Sequence, residues 1–207
     1  MNTINKISRY LSGHRIQLAV VLCLFGLCVA QSRKVAKGRH RPKTDERVYL
    51  KHADMLRFNQ YGEHAGAQIL NGNVAFLHKG ALLTCDSAYF YQESNSFKAF
   101  GHVKMRQGDT LSLTSDYAFY DGDNQMAEAR HNVLLRHRGT KLYTDSLNYD
   151  RLYNIGYFFE GGKMVDRNNV LVSDWGEYDT ETRKAVFNYN VNLRNPKFTL
   201  TTDTLHY

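Results

Sequence analysis

The chain has 207 residues, of which 43% are hydrophobic and 13% aromatic, and its formal net charge is +7 at pH 7. The length suits one domain of ordinary size, and 14 Tyr, 11 Phe and only 2 Pro favour β-strands. The positive charge lies in the first 44 residues, because from Asp45 onward 18 Lys and Arg stand against 20 Asp and Glu. The composition therefore gives no support for a nucleic-acid-binding domain.

The first 30 residues have the pattern of a secretory signal peptide. Lys6, Arg9 and Arg15 precede an apolar run that ends at Ala30. A basic segment, an apolar segment of about 15 residues and a small residue at the end are typical of such signals. The run is shorter than the roughly 20 residues of a membrane span, although an uncleaved N-terminal anchor is the alternative. We predict cleavage after Ala30 and export of the remaining chain.

Residues 31–44, QSRKVAKGRHRPKT, form a predicted basic linker with six Lys or Arg and no acid. We expect this linker to be disordered, with contact to anionic lipid head groups as a further option. Cys23 and Cys28 lie in the predicted signal, so the exported part keeps only Cys85. One cysteine cannot form an internal disulfide, and we expect it to behave as a small buried hydrophobic residue.

From Asp45 to Tyr207 the sequence repeats every 29 to 32 residues. The repeats align on an aspartate that is followed by a small or apolar residue two positions later and by an aromatic residue four positions later. The aspartates are Asp54, Asp86, Asp116, Asp145, Asp174 and Asp203, and the aromatics are Phe58, Phe90, Tyr120, Tyr149, Tyr178 and Tyr207. Periods of this length indicate units that bury their apolar surface by stacking on one another.

A second marker precedes the aspartate by about twelve residues. It reads GNV, GHV, HNV or YNV at residues 72, 101, 131 and 189, while the fourth unit has GGKM at 161, one residue out of step. Polar turns on both sides of the aspartate segment indicate two strands of eight to ten residues in each unit. No segment after residue 44 has a helical period. The predicted fold is all-β and elongated, with stacked antiparallel strands built from repeats of about 29 residues.

The sequence contains no motif that predicts catalysis, a cofactor or a metal site. His102 and His131 lie in the marker and are interpreted as polar residues at a strand bend. Calcium sites need several oxygens within one short loop, whereas the repeated aspartates are single residues within strands. We therefore predict that they bond backbone N–H groups at bends. The sequence gives no reason to predict an enzyme.

The repeated aromatics and their neighbours would form one ladder along the stacked units. Two interpretations stay open for this ladder. A closed seam would make it part of a packed core, which is common in repeat proteins. An open groove could hold something long and apolar, such as acyl chains, with space left by Ala88, Ala118 and Gly176.

The segments GNVAFLHKGALLTCDSAYFY, GHVKMRQGDTLSLTSDYAFYD and HNVLLRHRGTKLYTDSLNYD resemble the LptA/OstA family of lipopolysaccharide-transport proteins. The resemblance runs from about Val48 to Tyr207. It implies a periplasmic, twisted β-jellyroll, open along one side, whose interior holds the acyl chains of lipopolysaccharide. It also implies edge-strand pairing with the jellyroll domains of the inner-membrane component and of the outer-membrane translocon, or with further copies of this chain in a head-to-tail homo-oligomer.

Carried onto this sequence, the resemblance implies a lipid-binding groove formed by ladder residues and by apolar residues of the marker strands. The candidates are Leu56, Phe58, Ala88, Phe90, Ala118, Tyr120, Leu147, Tyr149, Tyr178, Leu205, Tyr207, Val74, Val103, Met105, Val133 and Val191. Because the chain ends within a repeat, a fragment of a longer protein is one expectation for the domain at residues 45–207. The alternative function is an exported structural or adhesive β-solenoid with a closed core and no lipid cargo.

Overall fold

The computed structural model describes residues 47–207, which belong to one compact unit, Lys43–Tyr207. The predicted signal peptide (1–30) and basic linker (31–44) lie outside the described residues. Every regular element within 47–207 is a β-strand, which confirms the all-β prediction. This part of the chain contains no helix of the length and apolarity that a bilayer crossing requires.

The strands form one antiparallel sheet in which neighbours in the chain are mostly neighbours in space. They are β1 (Tyr49–His52), β2 (Met55–Phe58), β3 (Gln68–His78), β4 (Ala81–Tyr91), β5 (Ser96–Gln107), β6 (Leu111–Asp121), β7 (Met126–His137), β8 (Thr140–Asp150), β9 (Ile155–Phe158), β10 (Gly162–Asp166), β11 (Asn169–Ser173), β12 (Trp175–Asp179), β13 (Ala185–Asn195) and β14 (Phe198–His206). Stacked antiparallel strands, as predicted, therefore build the domain.

Three pairs of short strands are the two halves of longer, bent strands. Both β1 and β2 pair with β3, both β9 and β10 pair with β8, and both β11 and β12 pair with β13. The remaining strands bend at the same position without losing their continuity. The chain is therefore a meander of bent strands, most of them a little longer than the eight to ten residues expected, because the marker lies inside a strand and not between strands.

Each bend contains a β-bulge on the marker strand. Between β5 and β6 the register shifts after Phe100, and two residues of β5 lie opposite Asp116 alone. These two residues, Gly101 and His102, have φ values of 72° and 45°. Glycine adopts positive φ freely, and asparagine and histidine do so more readily than most residues. This requirement explains the Gly, His and Asn content of the marker.

The repeated aspartate holds the bend of the following strand. The side chain of the second marker residue contacts it in four units, at 2.9 Å for Asn73–Asp54, 2.7 Å for His102–Asp86, 2.5 Å for Asn132–Asp116 and 2.7 Å for Asn190–Asp174. The backbone N–H of Asn132 also donates to Asp145, at 3.3 Å. The predicted bond to a backbone N–H is thus confirmed at Asp145, while Asp54, Asp86, Asp116 and Asp174 each contact a side chain at the bend.

The fourth unit keeps one extra residue at its bend although its marker reads GGKM. Residues 158–161 lie opposite residues 145–147 of β8, between the paired segments on either side. The strand is interrupted here between β9 and β10, and Gly161 has a φ of 85°. The break in the strand therefore absorbs the one-residue offset of the sequence.

The bends divide the sheet into two walls. Wall A comprises residues 48–52, 74–78, 81–85, 103–107, 111–115, 133–137, 140–144, 162–166, 169–173, 191–195 and 198–202. Wall B comprises residues 55–58, 68–71, 87–91, 96–100, 117–121, 126–130, 146–150, 155–158, 175–179, 185–188 and 204–207. Phe76 of wall A stacks on Phe97 of wall B with ring centroids 4.3 Å apart, so the walls face each other over a common core.

The inward-facing register changes at each bend. In β6, Leu113 and Ser115 are buried before Asp116, and Ala118 and Tyr120 are buried after it. Read as a straight strand, the same residues fall into opposite registers, because successive side chains point to opposite faces. This change explains why both registers of the sequence mix apolar and polar residues.

Candidate functional site

Most of the groove candidates lie between the two walls. Buried there are Val74, Ala88, Phe90, Val103, Met105, Ala118, Tyr120, Val133, Leu147, Tyr149, Tyr178 and Val191. Leu205 and Tyr207 are partly buried and pack against this core. Leu56 and Phe58 are 52% and 64% exposed and lie on the edge strand β2, which pairs only with β3. The structure therefore brings together all rungs of the ladder except the first.

The interior between the walls is filled by side chains. A cavity of about 20 Å³ lies among Phe76, Phe97, Met105, Tyr120 and Arg151, which is room for roughly one water molecule. An acyl chain does not fit beside these side chains. Lipid could occupy the interior only after the walls move apart.

The walls are continuous at the bends and meet again on the opposite side, which we call the mouth. Turns border the mouth, at residues 79–80 and 108–110 of wall A and at residues 122–125 and 151–154 of wall B, among others. Among the described strands, every pairing lies within a wall or crosses a bend. Side chains therefore hold the mouth, and in its backbone pairing the sheet is open on this side.

Two buried tyrosine–histidine pairs cross the mouth. The Tyr120 hydroxyl lies 2.8 Å from Nδ1 of His78, and the Tyr178 hydroxyl lies 3.0 Å from Nδ1 of His137. Burial raises the pKa of both tyrosines, which keeps their hydroxyls protonated. Burial also lowers the pKa of His137, and two nearby arginines add to this effect. The Tyr178–His137 pair is therefore a hydrogen bond between neutral groups at the rim of the core.

The last rung repeats this arrangement with different chemistry. The Tyr207 hydroxyl donates to Asp166 at 3.0 Å and accepts from the Asn169 amide at 2.7 Å. Tyr149, in contrast, bonds Thr180 of its own wall at 3.0 Å. At the first turn of the mouth, the Val48 N–H donates to Asn95 at 2.7 Å. Polar contacts thus connect the walls along much of the mouth.

Arg151 lies in the centre of the mouth and is buried, with 8% of its surface exposed. Its guanidinium donates to the Tyr120 hydroxyl at 2.7 Å, to Oε1 of Gln107 at 3.2 Å and to the Lys79 carbonyl at 3.3 Å. It also lies over the Tyr120 ring, 5.8 Å from the centroid. Arg151 therefore joins a turn of wall B to two turns of wall A.

Sequence reasoning missed the wall A side of the mouth and Arg151. The wall A residues are His78, Gln107, His137 and Asp166, which follow one another at steps of 29 or 30 residues. This recurrence of a polar residue at the end of the marker strand was a usable signal. Arg151 gave no such signal, because it lies in a polar turn whose sequence is typical of a solvent-exposed loop.

The other residues weighed in the sequence do not form a second site. Residues 47–207 contain no group of His, Cys, Asp or Glu that could hold a metal ion. Cys85 is buried, its thiol donates to the Ser87 carbonyl at 3.2 Å, and burial raises the pKa of the thiol to about 11. The prediction of a small buried hydrophobic residue is confirmed.

Similarity to known proteins agrees with this architecture. No curated protein matches the sequence. The structure is similar to that of LptH from Pseudomonas aeruginosa, described as the LptA homologous periplasmic component of the conserved lipopolysaccharide transport device, with a TM-score of 0.51 and 15% identity over 55% of this chain and 93% of that one. That likeness shows the fold, a twisted β-jellyroll. The sequence pattern of OstA-like proteins matches residues 45–203. The match confirms the resemblance stated above and shows that this chain belongs to the OstA-like protein family.

Proposed function

We propose that this protein acts in lipopolysaccharide transport, as a periplasmic bridge protein that carries acyl chains between wall A and wall B. One observation carries the proposal: an apolar interior is closed along much of its mouth by side-chain contacts and not by strand pairing. Membership of the OstA-like family and the description of LptH as a periplasmic transport component support the cargo and the compartment.

The magnitudes allow a mouth that opens for lipid. A hydrogen bond between neutral groups contributes about 1 kcal/mol net, as in the Tyr178–His137 pair, and one to a charged group contributes about 1.5–3 kcal/mol, as at Arg151. Burying one methylene group gains about 0.8 kcal/mol. A single acyl chain of about a dozen carbons therefore gains roughly 10 kcal/mol, which is enough to offset the contacts of Arg151, before the displaced core packing is counted. The cost of displacing that packing lowers the net free energy of lipid binding and makes release possible.

The sheet edges fit the proposed bridge. At one edge, β1 and β2 pair only with β3, and Leu56 and Phe58 are exposed. At the other edge, β14 pairs only with β13 and exposes Phe198. Exposed strand edges with apolar side chains are templates for pairing with another chain. We propose that another jellyroll domain of the transport bridge, or a second copy of this chain, pairs there.

Photocrosslinking in cells tests whether lipid occupies the interior. A photoreactive phenylalanine analogue replaces Phe90, which points inward, or its neighbour Tyr91, which lies on the outer face of the same strand. A second matched pair is Tyr120 and Phe119 on β6. Because both positions of a pair lie on the same strand, the two variants share their expression level and the local lipid concentration. They differ only in the direction of the photoreactive side chain.

Lipopolysaccharide adducts at Phe90 and Tyr120, with none at Tyr91 and Phe119, are the expected result. Equal adducts at inner and outer positions would point to a surface association. No adduct at any position, in protein shown to be folded and exported, would contradict lipid carriage.

A structural protein with a closed core is the second candidate function. The packed interior, with its cavity of about 20 Å³, favours it. This candidate predicts that the inner positions form no lipid adducts in cells, whereas edge residues such as Phe198 crosslink to protein.

A further inference from the structure

Arg151 is unusual among the described residues because it carries a full charge in a buried position. Its three acceptors are a hydroxyl, a side-chain amide and a backbone carbonyl, and all three are neutral. No ion pair within 4.0 Å involves it in the part of the chain that the structure describes. Buried charges are normally paired with an opposite charge. Arg151 is thus a buried arginine without the carboxylate counterion that buried arginines usually have.

The nearest acid in the sequence has another role. Asp150 accepts from the backbone N–H groups of Leu152 and Tyr153, at 2.8 and 3.1 Å, and so stabilises the turn that carries Arg151. The corresponding aspartates 121 and 179 stabilise the preceding and following turns in the same way. Asp150 therefore fixes the position of Arg151 without neutralising it.

The surroundings of Arg151 define the shape of a ligand. On its inner side lies the small cavity, whose other lining residues include Phe76, Phe97 and Met105. On its outer side lies the solvent at the mouth. A guanidinium presents a planar fork of donors that matches the oxygens of a phosphate or a carboxylate. A molecule with an anionic group on an apolar chain would place each part in a matching environment.

We propose that Arg151 is the anion-binding residue of the mouth and holds the phosphate or carboxylate head group of an amphiphile whose acyl chain lies between the walls. The proposal rests on the proposed function, since it assumes that the interior opens for acyl chains. The head group would replace the neutral acceptors Gln107 and the Lys79 carbonyl, both on wall A. Binding of the anion would therefore release two contacts across the mouth at the place where the chain enters.

The test compares amphiphiles that share one alkyl chain. Dodecyl phosphate, dodecanoate and neutral dodecyl maltoside, each below its critical micelle concentration, are titrated into the full chain and followed by calorimetry. Inorganic phosphate is a fourth probe, which distinguishes a lipid head group from a free anion. The variants are Arg151→Gln, Arg151→Lys, and Arg136→Gln as control, because Arg136 is exposed on wall A and its loss changes the net charge equally.

We expect the wild type and Arg136→Gln to bind at least one of the two anionic amphiphiles about tenfold or more tightly than dodecyl maltoside, with inorganic phosphate far weaker than either. Arg151→Gln should lose this preference and retain dodecyl maltoside binding. Arg151→Lys should keep part of it, because a lysine supplies charge without the planar fork. The stronger of the two anionic probes identifies the head-group chemistry.

Equal binding of charged and neutral amphiphiles by the wild type would overturn the proposal, as would an unchanged preference in Arg151→Gln. Equal losses for all amphiphiles in Arg151→Gln would show a structural role and would overturn it too. Inorganic phosphate that binds as tightly as dodecyl phosphate would rule out the amphiphile. Failure of every amphiphile to bind folded wild-type protein would instead contradict the proposed lipid carriage itself.

Discussion

Substitution of Gly101 by alanine tests the account of the bend. The φ of Gly101 is 72°, and a Cβ added there would lie 2.4 Å from Oδ2 of Asp86 and 3.0 Å from its Cγ. Gly80 is the matched control, because its φ is 76° and an added Cβ would meet nothing within 4 Å. Both alanines carry the cost of a left-handed backbone, roughly 1–2 kcal/mol. Only Gly101→Ala also crowds a neighbour, which adds about 1–3 kcal/mol.

Urea unfolding, followed by circular dichroism, measures the difference. We expect Gly101→Ala to lower the free energy of unfolding by at least about 1 kcal/mol more than Gly80→Ala. Adding Asp86→Ala to Gly101→Ala should bring back most of this excess, because the crowded atoms are removed. Equal losses in the two single variants would refute the idea that the aspartate occupies the space above the marker.

Three further predictions concern the core and the rim. Phe76→Ala should lower the free energy of unfolding by about 3–5 kcal/mol, since the ring is fully buried; a loss below about 1 kcal/mol in urea unfolding would contradict a packed interior. The pKa of His137 is lowered in the folded protein from its ordinary value of 6.5. Below pH 6.5 the unfolded chain therefore binds more protons than the folded protein, so the free energy of unfolding should fall as the pH drops below about 6.5 and level off below the folded pKa. His137→Gln should flatten that part of the curve, and an unchanged curve would contradict the buried neutral imidazole. Cys85, whose thiol pKa is about 11, should resist alkylation at pH 8 until the protein unfolds; rapid labelling of its peptide, quantified by mass spectrometry, would show that the interior is open.

The repeat carried most of the information about the fold. The recurring aspartate, the aromatic four residues later and the Gly, His and Asn marker predicted antiparallel strands with a bend, and the structure confirms this at Asp86 and His102. These signals are local, because strand period, turn residues and positive φ are properties of neighbouring residues. They could therefore be read without knowing which unit packs on which.

The sequence did not predict which side chains face inward, because the strands change register at the bends. It did not predict the mouth either, because the mouth depends on how the two walls face each other. A strand that changes register at Asp116 mixes both faces in the sequence, so alternation alone could not assign Leu113 and Tyr120 to one interior. The mouth pairs join residues 41 or 42 positions apart, such as His78 and Tyr120. Such a distance is set by how the two walls face each other and cannot be derived from the spacing within one repeat. The first rung, with the exposed Phe58, and the last rung, with the partly buried Tyr207, both lie on edge strands that pair with one neighbour only.

The large sequence separation of the mouth contacts has a consequence for folding cooperativity. Hydrogen bonds within the sheet connect strands that follow each other in the chain, so the sheet could grow strand by strand, as in repeat proteins with nearest-neighbour energetics. The pairs His78–Tyr120, His137–Tyr178 and Asp166–Tyr207 instead span 41 or 42 residues, more than one repeat. A single repeat therefore cannot complete its own tertiary contacts. The smallest segment that melts as one piece should comprise about two repeats, and hydrogen exchange should show blocks of protection of that size and not a separate block for each unit.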